Sequence, residues 1–123
     1  MTQEQKDLLI KDLCARLPYF TKVQIKNEIV VLDSICDDDG YHFNFIGDDR
    51  EGVNIENIKP YLFPLSSMTM EQEREWQSLM VCDVYGIFYH TIESFDYLYK
   101  NHIDIIGLIP MGLAIDATDK NIY

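Results

Sequence analysis

Apolar residues recur near the start of the chain at Leu9, Ile10, Leu13, Cys14 and Leu17, the spacing of one face of a helix. Thr2 and Gln5 stand at capping-box spacing just ahead of them, so a helix is predicted from about Gln3 to Leu17, ended by Pro18. Glu4, Lys6, Asp7, Lys11 and Arg16 occupy its other face, and Cys14 falls on the side expected to be buried. From Tyr19 the period changes to two. Val23 and Ile25 alternate with Lys22, Gln24 and Lys26, Asn27-Glu28 marks a turn, and Ile29-Val30-Val31-Leu32 reads as a second strand. Asp37-Asp38-Asp39-Gly40 supplies the next turn, since Asp tolerates tight geometry and Gly provides positive φ. Tyr41, Phe43 and Phe45 then alternate with polar neighbours, and Val53-Asn54-Ile55 beyond Gly52 is a candidate fourth strand.

Two prolines frame the apolar run Tyr61-Leu62-Phe63 in Ile58-Lys59-Pro60-Tyr61-Leu62-Phe63-Pro64-Leu65. Each proline locks its own φ and pushes the preceding residue toward extended geometry, so this stretch reads as a stiff, non-helical crossover. Thr69 and Gln72 repeat the capping-box spacing and predict a second helix from about Met70 to Met80, burying Trp76, Leu79 and Met80. Val81 to His90 is open between strand and helix. Ser94 is read as the cap of a helix carrying Phe95, Leu98 and Tyr99, and Pro110 to Ile115 as a last short helix.

These elements give an α+β fold in a single domain, 1–123. An N-terminal helix lies on a small antiparallel meander of three or four strands over 1–57, a crossover occupies 58–69, and a mostly helical half, 70–123, packs on the same core. A chain of 123 residues with 47% hydrophobic and 12% aromatic content is ordinary for one globular core.

Charge narrows the choice of partner. The formal net charge is -11, and between Glu28 and Glu56 nine acids face Arg50 alone, a local net of -8. Such a field repels phosphates and favours basic partners, which argues against direct nucleic-acid binding. Three cysteines, Cys14, Cys36 and Cys82, are too scattered for a disulfide framework or a zinc set. Without a signal-peptide pattern at Met1-Thr2-Gln3 or an apolar run of about 20 residues, a cytoplasmic, membrane-free setting is expected.

No reaction is signalled. Asp37, Asp39 and Gly40 fit positions three, five and six of a calcium loop, but its ends would be Ile35 and Ile46, where carboxylates are needed. His42, His90 and His102 lie in different predicted elements, and nothing local holds one against Cys36, Cys82, Ser66 or Ser67. A phosphate loop, a nucleophile elbow and a His-Glu-x-x-His helix are all missing, so no catalytic residue, cofactor site or metal site is assigned.

Leu8 to Tyr19, Ile58 to Thr69, and Asn101-His102-Ile103-Asp104 with Gly107-Leu108-Ile109 and Gly112-Leu113-Ala114 together resemble a protein family of gut Bacteroidales genomes, their prophages and bacteriophages, a family without an established activity. Asn101 and Ile106 depart from the His and Arg that members of that family often carry there. The resemblance implies a phage or mobile-element accessory protein and attaches no chemistry to it.

The function expected from all this is that of a small acidic, non-catalytic protein-interaction module. Its candidate contact residues are Asp37, Asp38, Asp39, Asp48, Asp49, Tyr61 and Phe63. Its partner is a host or phage protein with a basic surface. The alternatives are an acidic decoy of a nucleic-acid-binding protein, or a small enzyme whose Cys/His site forms only in the fold.

Overall fold

A computed structural model describes the whole chain, Met1–Tyr123, as an α+β fold. The first helix, α1 (Gln3–Ala15), opens with the expected reciprocal cap: Gln5 N–H donates to Thr2 Oγ1 and Thr2 N–H donates to Gln5 Oε1. It ends before Leu17, because Leu17–Tyr19 tightens into a 3₁₀ turn carrying Pro18. Leu9, Ile10 and Leu13 are buried, whereas Cys14 is exposed, contrary to the expectation from the stripe. Asp12 and Arg16 take the buried positions on that side.

Strands β1 (Lys22–Ile25), β2 (Glu28–Asp37) and β3 (Tyr41–Phe45) form the antiparallel meander, turned by Lys26-Asn27 and Asp38-Asp39-Gly40. Lys26, Asn27 and Asp39 adopt positive φ, which short polar side chains support best at Asn and Asp. Val53–Ile55 is not the fourth strand; a 3₁₀ turn occupies Ile55–Asn57. That place belongs to the proline-framed segment, β4 (Lys59–Pro64), which pairs antiparallel with β1 and parallel with β7 (Ile103–Asp104) and β8 (Ile115–Asp116). The sheet is therefore mixed and runs β3-β2-β1-β4-β7, with β8 also on β4. Pro60 lies opposite Val23 and is fully buried, a position where a strand tolerates a residue without N–H only if no ladder bond is asked of it.

The C-terminal half is not mostly helical. It holds α2 (Met70–Ser78) and α3 (Ile92–Lys100), separated by a hairpin of β5 (Val81–Cys82) and β6 (Phe88–Tyr89). Thr91, not Ser94, is the N-cap of α3, and Ser94 completes its capping box. Pro110 to Ile115 forms turns leading into β8 rather than a helix. Trp76 is only half-buried and Leu79 is exposed, because α2 rests on α3 beside the sheet and buries no residue fully.

One core joins these parts: Leu9, Ile10 and Leu13 of α1 meet Val23, Ile25, Leu32, Phe43, Phe45, Ile58 and Leu62 of the sheet side, closed by Leu108, Leu113 and Ala114. No helix is long and apolar enough to cross a membrane.

Candidate interaction surface

Segments far apart in the sequence are tied together by a buried polar knot. Arg16, inaccessible to solvent, donates to both carboxylate oxygens of Asp12 at 2.7 and 3.0 Å and to the carbonyl of Ile103 at 2.6 Å, while the ring of Tyr99 lies 5.0 Å from its guanidinium. Burial raises the Asp12 pKa, opposed by the Arg16 hydrogen bonds. Asp104 next to this knot accepts the N–H groups of Gly107, Leu108 and Ile109, fixing the turn that follows β7. These bonds, with the pairing of β4 to β7, clamp Leu8–Tyr19, Ile58–Thr69 and the Asn101–Ala114 region into one structural unit. They hold the fold; Arg16 Nη1 is buried without a partner, as is Nδ1 of the adjoining His102.

Beside the knot, a cavity of about 370 Å³ has Phe63, Gln72, Lys100, His102 and Tyr123 in its wall. His102 and Tyr123 stack at 3.7 Å between centroids, nearly parallel. The Tyr123 hydroxyl enters the sheet itself: it accepts from Lys22 N–H at 2.9 Å and donates to the Tyr61 carbonyl at 2.9 Å. Burial pushes the His102 pKa down to about 4, helped by Arg16 and Lys22, and pushes that of Tyr123 up to about 12. Tyr123 thus fastens β1 to β4, and no sequence pattern signals a role for it.

The expected contact residues separate. Asp37 ends β2, Asp38 and Asp39 form the exposed turn before β3, and Asp49 is exposed beyond it. Asp48 is half-buried and held below the usual carboxylate range by hydrogen bonds from Arg50, whose guanidinium also reaches Glu28. Tyr61 is 5% exposed and serves the core, so its side chain is not offered to a partner; Phe63 is half-buried against the Tyr123 ring, at 5.9 Å. Cys36 stands opposite His42 on β2 and β3, but no hydrogen bond joins them and the imidazole Nε2 is engaged with the Asp38 carbonyl at 2.8 Å. Cys82 lies in the distant β5. No three His, Cys, Asp or Glu side chains are grouped to hold a metal ion.

The largest run of uncovered apolar surface lies where the sequence left helix and strand undecided. Val81, Ile87, Phe88 and Tyr89 are about half exposed, while Val84 and Tyr85 at the hairpin tip reach 93% and 85% and Ile92 at the start of α3 reaches 78%. This is a built feature, not a slack loop. Asp83 Oδ1 accepts the N–H groups of Tyr85 and Ile87, Oδ2 accepts the Tyr89 hydroxyl, and Gly86 takes the positive φ that the turn requires. These bonds, the Ile87 backbone N–H first, lower the Asp83 pKa and keep it ionised as the hub of the hairpin. At the base, Thr91 Oγ1 donates to the Leu79 carbonyl, and His90 lies between Trp76 and Phe95 at centroid distances of 5.6 and 4.7 Å. The helices on either side of the hairpin in the chain, α2 and α3, carry Glu71, Glu73, Glu75, Glu93 and Asp96 against Arg74 and Lys100.

Val84, Tyr85, Ile87, Phe88 and Tyr89 around Gly86 left strand or helix open, and the structure resolves the segment as a short hairpin turned at Gly86. What no local pattern could show is that nothing in the fold covers it. Comparison of the chain with family models, with curated proteins and with solved structures returns no match.

Proposed function

We propose that this chain is a small, non-catalytic protein-interaction module that docks its partner through the hairpin Val81–Tyr89 and the adjoining start of α3. The observation that carries the reading is the joint exposure of Val84, Tyr85, Ile87, Phe88, Tyr89 and Ile92 on a hairpin held rigid by Asp83. A monomer rarely leaves a contiguous apolar patch of this kind open, and aromatic anchors on a preorganised scaffold are what binding hot spots are made of. The acids on α2 and α3 favour a partner whose apolar contact is rimmed by Lys and Arg, in keeping with the net charge of -11. In the setting that the sequence resemblance implies, an accessory protein of a phage or mobile element, that partner is a host or phage protein.

Affinity capture from host lysate with three forms of the chain tests this reading. The wild type and an Asp38→Asn/Asp39→Asn variant should retain the same partner, and Val84→Asp/Tyr85→Asp should lose it while keeping its melting temperature. Retention by the hairpin variant and loss by the turn variant would move the contact to the acidic turns.

A further inference from the structure

β3 is the last strand on its side of the sheet, and the chain returning past it pairs only at a single bridge, Phe45 to Asp48. Residues 50–54 run alongside, yet no backbone hydrogen bond joins them to Tyr41–Phe45. Between the two lies a groove of about 330 Å³ walled by Tyr41, His42 and Asn44 on one side and Glu51, Gly52 and Val53 on the other. An unpaired strand edge is a template for another strand, and natural edges that are not used are covered or blunted. Here the edge is open along the groove, and acids stand at both of its ends: Asp37, Asp38 and Asp39 before Tyr41, and Asp48, Asp49 and Glu51 beyond Phe45. Arg50, the single base of that stretch, is already paired to Asp48 and Glu28. Such an edge repels a second copy of itself and attracts an extended segment rich in Lys or Arg.

We propose that the free edge of β3 receives an extended basic segment of a partner protein as an added strand, lying in the groove between β3 and residues 51–54. Main-chain hydrogen bonds to β3 supply the register, alternate side chains face Phe43 and Val53 or solvent, and the flanking acids select positive charge. The site is separate from the hairpin of β5 and β6 and does not depend on it.

The probe is a capped, fluorescent six-residue peptide alternating lysine and valine, titrated into the full chain and read by anisotropy. Saturable binding is expected, weakened about tenfold when alternate peptide nitrogens are methylated and the main-chain donors lost. An Asp49→Lys/Glu51→Lys variant should bind about tenfold more weakly as well, and Val84→Asp/Tyr85→Asp should bind like the wild type. Equal affinity for the methylated peptide would reduce the contact to charge alone and overturn the added strand. Loss of binding in the hairpin variant, or no saturation by about 1 mM, a free energy of about -4 kcal/mol, would also overturn it.

Discussion

Arg16 shows how much a single residue can hold. Its side chain was read as part of the wet face of α1, yet it is fully buried, paired with Asp12 and bonded to Ile103 across the molecule. Spacing places Arg16 four residues after Asp12 on the same side, but only the tertiary fold shows that side to be covered. Arg16→Met should therefore cost about 3 to 5 kcal/mol, because it strands the Asp12 carboxylate, whereas Asp12→Leu with Arg16→Met should cost less than the single change. Urea unfolding of both variants checks the order. His102 gives a pH signature. Its folded pKa of about 4 lies below the ordinary 6.5, so the stability it contributes is present above about pH 6.5 and is lost as the pH falls toward 4. Partial exposure of the ring limits the loss between pH 7 and 5 to about 1 kcal/mol, and His102→Asn, which suits the positive φ of that position, should flatten the profile.

Among the elements, those specified by local chemistry were legible. The Thr2/Gln5 and Thr69/Gln72 boxes each place a helix start, and Asp39-Gly40 places a hairpin turn, because cap and partner lie within three residues. Elements specified by distant partners were not. β7 and β8 are two residues long and exist only because β4 runs beside them, so Ile103-Asp104 and Ile115-Asp116 carry no strand pattern of their own. β4 itself was taken for a stiff crossover; its extended geometry was legible because each proline restricts its own φ and that of the preceding residue, but its pairing with β1, β7 and β8 was not. The Tyr123 hydroxyl that joins Lys22 to Tyr61 makes a direct test of this long-range stitching. Tyr123→Phe should cost about 1 to 3 kcal/mol in thermal or urea unfolding, since the Tyr61 carbonyl and Lys22 N–H lose their partner inside the sheet. Asp83→Ala should leave global stability within about 1 kcal/mol but speed amide exchange at Tyr85 and Ile87, whose N–H groups it releases.

On the scale of the whole molecule, the chain divides its labour. One end is closed by the Asp12–Arg16 pair and by Asp104, which hold the helix, the inner strand and the C-terminal turns as one body. The other surfaces carry the acidic turns at the two ends of β3 and an apolar hairpin. Composition predicted an acidic interaction surface and pointed to the turns around Asp38 and Asp49, since charge is visible in a sequence and exposure of apolar groups is not. Val84 and Tyr85, in the segment left open between strand and helix, stand at 93% and 85% exposure. The central claim is that this hairpin is the docking face, and amide hydrogen exchange of the full chain, free and bound to the captured partner, tests it most directly. The account predicts new protection concentrated in Val81–Ile92, with the amides of α1 unchanged. Unaltered exchange across Val81–Ile92, with protection appearing elsewhere on the chain, would contradict it.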